Sequence, residues 1–187
     1  FVYHLDSNFR QYLSYVYNKE ISDHSTVLDL MSSWDSYLPK KKKYKKVIGH
    51  GLNKQELEKN KIFDSYWIQN FNLNQDIPLD SGSVDYCLIV AAWQYLQYPE
   101  NLTKEIVRIL SNQGKIMIAF SNRAFWHKAP NIWTTSTEDE RIKYVRKVLI
   151  TNGFNEPKII KKFNEPSLNI FNFLNKDPFY CLIATKE

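Results

Sequence analysis

The chain has 187 residues, 43% hydrophobic and 24% charged, with a net charge of +5. That length suits one well-buried core and is short for two, and 12 Tyr, 11 Phe and 5 Trp exclude a disordered chain. No apolar run approaches the roughly 18 residues that span a bilayer, no signal peptide is visible, and no membrane partner is expected.

From the N-terminus, Phe1 to Asp6 reads as an extended arm. Ser7 to Asn18 reads as a helix, because Phe9, Leu13, Val16 and Tyr17 recur at near-helical spacing behind Asp6 or Ser7 as cap. Residues 1–25 thus form an N-terminal arm and helix. Thr26 to Leu30 is a buried strand that carries Asp29 near its end and meets Ser32 and Ser33 in the turn. Trp34, Tyr37 and Leu38 predict a short helix that Pro39 ends. Lys40 to Lys46 is a lysine run broken only by Tyr44. It reads either as an anion-binding patch or as a solvated loop. It precedes the second strand, which puts it on the amino-terminal face of a sheet, away from any ligand edge, so a nucleic-acid partner is not favoured.

The second strand is Lys45 to His50, and Gly51-Leu52-Asn53 turns into a helix through Leu57 with Asn53 as cap. The third strand is Tyr66 to Asn70. After a loop, Val84 to Ala91 is a near-continuous apolar run, as a central strand covered on both faces requires. Pro99 opens a helix through Leu110, and Gly114 turns the chain into a fifth strand, Lys115 to Phe120. Ser121 to Thr135 is aromatic-rich without period, and residues 121–136 read as a lid-like insertion after that strand. Thr137 and Glu140 form a capping box for a helix over Glu138 to Asn152, which Gly153 ends. The last strands are Lys158 to Phe163 and Phe179 to Lys186, joined by the polar and aromatic Asn164 to Pro178. Strands alternating with helices imply a mostly parallel α/β sheet with helices on both faces, and the close final pair implies an antiparallel edge. One domain, 1–187, is expected.

The residues that carry a family resemblance are VLDL (Val27 to Leu30), VIGHGLNKQEL (Val47 to Leu57), DIPLDSGSVDYCLIVAAWQYL (Asp76 to Leu96), VRILSNQGKIMIAFSN (Val107 to Asn122), the Gly153-Phe154 turn and the final FYCLIATKE. Together they resemble the class I S-adenosylmethionine-dependent methyltransferases, and DLMSSWDSYLP with SNRAFWHKA resembles a methyltransferase-like branch that lacks the glycine-rich loop. The resemblance implies a seven-stranded Rossmann-like sheet of order 3-2-1-4-5-7-6 with strand seven antiparallel, and S-adenosylmethionine as cofactor. Two departures stand out. The glycine-rich loop is replaced by Asp29 to Asp35 with no glycine, and the acid that grips the ribose at the end of strand two is replaced by Gly51.

On this resemblance the cofactor-binding candidates are Asp29, Met31, Ser32, Ser33, Asn53, Asn70, Asn72, Ala91 and Ala92. Asp29 serves either the cofactor's amino acid end or nearby backbone. Ser32 and Ser33 serve either the methionyl carboxylate or helix capping. Asn53 is either a ribose ligand or a cap, Asn70 and Asn72 read adenine or shape a turn, and the two alanines leave room for cofactor or pack tightly. Asn122, Arg123, Trp126, Lys128 and Trp133 are the substrate-binding candidates, with Phe125 as a further wall. Arg123 and Lys128 suggest a small anionic acceptor. His127 is the candidate base in that loop. No metal site is expected, since the four His are scattered. Cys87 and Cys181 lie in apolar strands and read as buried thiols of a reducing compartment, the cytoplasm or an organelle stroma if a targeting segment precedes Phe1. Two functions compete: an active small-molecule methyltransferase, and a non-catalytic methyltransferase-like binding module whose cofactor space Met31 and Trp34 fill.

Overall fold

The computed structural model describes residues 2–162 and 177–187. In chain order the regular elements are α1 (Ser7–Glu20), β1 (Thr26–Leu30), β2 (Lys46–Gly51), α2 (Lys54–Lys59), β3 (Ser65–Ile68), β4 (Val84–Val90), α3 (Pro99–Ile109), β5 (Leu110–Phe120), α4 (Asn131–Thr134), α5 (Glu138–Thr151), β6 (Lys158–Lys162) and β7 (Phe179–Thr185). The strands form one sheet in the order β3-β2-β1-β4-β5-β7-β6. β7 runs antiparallel to both β5 and β6, and the other pairs are parallel. This is the order expected from the sequence. Phe163 and most of the Asn164 to Pro178 segment lie outside the described residues.

Strand geometry sends successive side chains to opposite faces, and the core divides accordingly. Leu28, Leu30, Cys87, Ile89, Ile116, Ile118 and Leu182 pack with α3 and α5 residues such as Leu102, Ile106, Val145 and Leu149. Val27, Tyr86, Leu88, Met117, Cys181 and Ile183 pack with Phe9, Leu13, Val16 and Tyr17 of α1. A strand buried on both faces has no polar period, which is why β4 and β7 read as unbroken apolar runs. Asp6 caps α1 by accepting from the Phe9 N–H at 2.8 Å. The Thr137–Glu140 capping box starts α5, and Gly153, at φ +99°, follows its end.

Two expectations are corrected. Residues 31–39 form no helix. Met31 and Tyr37 both take left-handed backbone, at φ +53° and +55°, and Asp35 Oδ1 accepts from the Tyr37 N–H at 2.9 Å, an Asx-type turn that competes with helix. The chain also does not first enter the sheet after Gly114. β5 begins at Leu110 opposite Val84, and its next paired residue, Lys115, lies opposite Tyr86. The intervening residues bulge, with Gln113 at φ +63°.

Strand order reverses between β1, which leads toward β2, and β4, which leads toward β5. A crevice at the carboxyl ends of these strands is the natural ligand position in such a sheet.

Candidate active site

The first turn is built around a buried carboxyl and a neutral histidine. Asp29 is 3% exposed, and Ser32 Oγ donates to its Oδ2 at 2.6 Å. Burial pushes the carboxyl up to about 7, while the Ser32 and Ser36 hydroxyls pull it back and Asp35 adds a small push upward. Next to it, Met31 holds its left-handed turn because its N–H donates to His50 Nδ1 at 3.1 Å. The Ser32 N–H donates to the His50 carbonyl at 2.7 Å. With Nδ1 accepting, Nε2 carries the proton and donates to the Gln69 carbonyl at 2.9 Å. Burial lowers the His50 pKa to about 4, so the ring is neutral. It packs between Trp67 and Phe71, with centroids 4.8 and 4.1 Å away. A pinned turn thus stands where a glycine-rich loop was absent from the sequence.

The end of β2 explains the missing acid. A Cβ on Gly51 would lie 2.7 Å from the Ser32 carbonyl oxygen and 3.2 Å from Leu57 Cδ2, so no side chain fits. Asn53 caps α2, its Oδ1 accepting from the Gln55 and Glu56 N–H groups. One turn further, Glu56 reaches back to the same spot. Its Oε2 accepts from Ser33 Oγ at 2.7 Å, and its Oε1 from Asn53 Nδ2 at 3.1 Å. In the third loop Asn70 Oδ1 accepts from the Asn72 N–H, and Asn72 joins that loop to the turn after β4, donating to the Tyr95 carbonyl and accepting from the Gln97 N–H.

These pieces wall a cleft of about 1010 Å³ at the carboxyl ends of β1, β2 and β4. It brings together all the sequence-predicted cofactor candidates: Asp29, Met31, Ser32, Ser33, Asn53, Asn70, Asn72, Ala91 and Ala92. Met31 and Trp34 line this space and leave it open. Ala91, at φ +49°, turns the chain sharply out of β4. Left-handed residues other than glycine cost energy and cluster at functional sites, and here Met31, Tyr37 and Ala91 all border the cleft.

The other half is lined by Asn122, Arg123, Phe125, Trp126 and Lys128 from the loop after β5. Two expectations fail there. Trp133 is 2% exposed and packs edge-on to Phe120 in the core, so it is no cleft wall. His127 is exposed and does not line the cleft, although its neighbours Trp126 and Lys128 do. Arg123 forms an ion pair with Asp177, which is buried. The loop is fastened from behind by Arg141, whose Nε donates to the Trp133 carbonyl at 2.9 Å and whose guanidinium lies 5.3 Å from the Trp126 ring and 5.5 Å from the Trp133 ring.

Sequence reasoning missed four contributors. The N-terminal arm crosses the cleft, and Val2 to Leu5 all line it. Tyr3 lies 4.3 Å from Trp34 between ring centroids, with the Arg10 guanidinium 3.6 Å over its ring, and His4 meets Phe125 edge-on at 5.8 Å. Glu56, His50 and Gln94 are the others. Glu56 carried a signal, since Asn53-x-x-Glu56 is a capping-box spacing that aims the acid back at the loop. Among the described residues, no group of three His, Cys, Asp or Glu is placed to hold a metal. No helix of them is long and apolar enough to cross a membrane. The lysine run lies outside the cleft lining.

An open sheet of this order, with its crevice at the β1/β4 switch, is the fold of class I methyltransferases. A family model described as a methyltransferase domain matches residues 35–118. Solved structures share the fold. The Haloferax volcanii complex between the Trm112 methyltransferase activator and a proposed methyltransferase matches at 16% identity and TM-score 0.70, over 96% of this chain and 90% of that one. A proposed S-adenosylmethionine-dependent methyltransferase from Listeria monocytogenes matches at 16% identity and TM-score 0.67, over 97% and 100%. A Thermotoga maritima S-adenosylmethionine-dependent methyltransferase, described as a possible histamine N-methyltransferase, matches at 20% identity and TM-score 0.65, over 96% and 90%. No curated protein matches in sequence. The middle of the chain thus matches a methyltransferase-domain model, and the whole has the fold of the S-adenosylmethionine-dependent methyltransferases it is similar to.

Proposed function

We propose that the chain binds S-adenosylmethionine in this cleft and transfers its methyl group to a small-molecule acceptor. The observation that carries the reading is the open space beside Asp29, Ser32 and Ser33, between Gly51 and Ala91, with Met31 and Trp34 as its walls. Glu56 replaces the absent strand-two acid. Its carboxylate is held by Ser33 and Asn53 beside Gly51 and is the group positioned to accept from two ribose hydroxyls. The narrow backbone at Gly51 and Ala91 leaves room for the nucleoside. The bound cofactor supplies an electrophilic sulfonium methyl, and the protein's task is to hold an acceptor in line with it, with water excluded by the arm and the loop after β5.

Arg123 is neutralised by Asp177, which removes half of the argument for an anionic acceptor. Buried thiols at Cys87 and Cys181 suit a reducing compartment such as the cytoplasm or an organelle stroma.

A second reading has one observation behind it. The Met31 and Ser32 N–H groups are both spent on His50, so a degenerate module that no longer takes cofactor is the alternative. Calorimetric titration with S-adenosylmethionine and S-adenosylhomocysteine separates the two. Binding is expected, and Glu56→Gln is expected to weaken it about tenfold, as loss of a charge-assisted hydrogen bond does. Silence at millimolar ligand leaves the module reading standing.

A further inference from the structure

The half of the cleft away from Glu56 is built around Phe125. The Tyr95 ring lies 6.3 Å from the Phe125 centroid, the His4 ring 5.8 Å from it, and Lys128 Nζ lies 5.4 Å over the same ring. All four residues line the cleft, and Trp126 lines it beside them. Phe125 and Trp126 are 49% and 51% exposed, high values for large rings placed beside a cavity. Both are anchored from behind. The Phe125 N–H donates to the Tyr95 hydroxyl at 3.0 Å, and the Trp126 ring lies 5.3 Å from the Arg141 guanidinium. A flat ring system laid against them covers apolar surface that otherwise faces water.

The charged side chains that line the cleft are Asp29, Asp35, Glu56, Arg123 and Lys128. The acids are engaged by the protein itself. Asp29 accepts from Ser32, Glu56 accepts from Ser33 and Asn53 at the far end, and Asp35 accepts from the Tyr3 hydroxyl and the Tyr37 N–H. Arg123 is neutralised by Asp177. Lys128 is different. It is exposed, and it takes part in no ion pair among the described residues. A ring face attracts its ammonium without cancelling the charge. His4, on the arm, brings an imidazole N–H to the same ring. A single unneutralised lysine matches one unit of negative charge, which suits a carboxylate better than a phosphate with nearly two.

We infer that the methyl acceptor is a flat aromatic carboxylate, with its ring against Phe125 and Trp126 and its carboxylate on Lys128 Nζ. The inference rests on the methyl-transfer reading of the cleft and names the class of its acceptor. Lys128 is a specificity-determining residue: it selects the charge, and the rings select flatness. A neutral aromatic molecule forgoes the ion pair, a saturated acid forgoes the ring contact, and a cation meets like charge.

The test titrates S-adenosylhomocysteine-saturated protein with 2-naphthoate, 2-naphthamide and decahydro-2-naphthoate, read by ligand-observed NMR. 2-Naphthoate is expected to bind about fivefold more tightly than the amide, which keeps the shape and lacks the charge, as an ion pair at an open rim allows. It is also expected to bind more tightly than the saturated acid. Lys128→Met, checked for folding by its thermal midpoint, is expected to bring naphthoate down to the level of the amide. Lys41→Met removes an exposed lysine outside the cleft lining and is expected to leave the preference intact. Five results overturn the inference: the amide matching naphthoate on the wild-type protein, decahydronaphthoate matching naphthoate, a folded Lys128→Met protein that keeps the preference, a Lys41→Met protein that loses it equally, or no probe binding at all. If Lys128→Met does not fold, the wild-type comparisons and Lys41→Met decide alone. Failure of the cofactor reading shows separately, as a silent S-adenosylhomocysteine titration, and the probes are then titrated into the ligand-free protein.

Discussion

Asp29 and His50 are two residues of opposite charge type, and burial keeps both neutral around the same turn. Asp29 is raised to about 7 by desolvation, and His50 is lowered to about 4 by the same cause. Their effects on stability run in opposite directions with pH. Between the ordinary carboxyl value of 3.8 and about 7, the unfolded chain has released the Asp29 proton and the folded one has kept it, so stability falls as pH rises through that window. Between about 4 and 6.5 the unfolded chain has gained a proton on His50 and the folded one has not, so this term is lost as pH falls. Above 6.5 the Asp29 term continues alone to about 7 and then stays as a constant penalty. Asp29→Asn keeps an acceptor for the Ser32 hydroxyl and removes the ionisation. It is expected to raise the thermal midpoint at pH 8, by the equivalent of a few kcal/mol, and to bring little or no gain at pH 4. A variant that is equally affected at both pH values would show that Asp29 carries no ionisation penalty. The sequence made Asp29 visible as a strand-end acid. It did not show that His50, a residue among apolar neighbours, holds the turn, because that role depends on Met31 bending into left-handed backbone.

The regular elements were legible where one local pattern decided them. α5 announced itself through Thr137, Glu140 and Gly153, and β4 through its unbroken apolar run. Between β1 and β2 the local pattern misled. Trp34, Tyr37 and Leu38 have helical spacing, yet Asp35 ties down the Tyr37 N–H and the rings turn toward the arm and the cleft. At β2 the sequence recorded an absent acid without its cause. The cause is a backbone contact: the Ser32 carbonyl occupies the space a Gly51 side chain needs. Placing an acid at the end of β2 by Gly51→Asp should therefore not improve affinity for the proposed cofactor. The side chain would displace the Ser32 carbonyl and Leu57, loosening both the first turn and the start of α2, and overpacking of this kind costs typically 1–3 kcal/mol. A lowered thermal midpoint together with weaker S-adenosylhomocysteine binding is expected. Tighter binding at unchanged stability would show that the turn can move aside and that Glu56 is not the replacement carboxylate.

At the scale of the whole molecule, the sheet supplies the floor of the cleft, and the N-terminal arm and the loop after β5 supply its rim. Asp6 and Asp177 are 171 residues apart in sequence, yet each backbone N–H donates to the other's carboxylate, at 2.8 and 2.6 Å. Arg123 joins the same knot from the loop after β5. Nothing in a local pattern reports such a contact, which is why the arm read only as an extended segment and Arg123 as an unengaged cation. The knot fixes the arm at one end, and Tyr3, packed on Trp34 and bonded to Asp35, fixes it at the other. Between these points Val2 to Leu5 span the cleft from the β1 loop to the β5 loop. A wall of this kind slows ligand exchange in both directions and alters affinity less than it alters rates, since most of the cofactor contacts proposed above lie beneath it. A chain shortened to begin at Asp6 keeps the cap of α1 and loses the wall. Its S-adenosylhomocysteine dissociation rate, measured by stopped-flow displacement, is expected to rise several-fold, with association rising in step. Unchanged rates in a folded truncated protein would mean that the arm lies over the cleft without closing it.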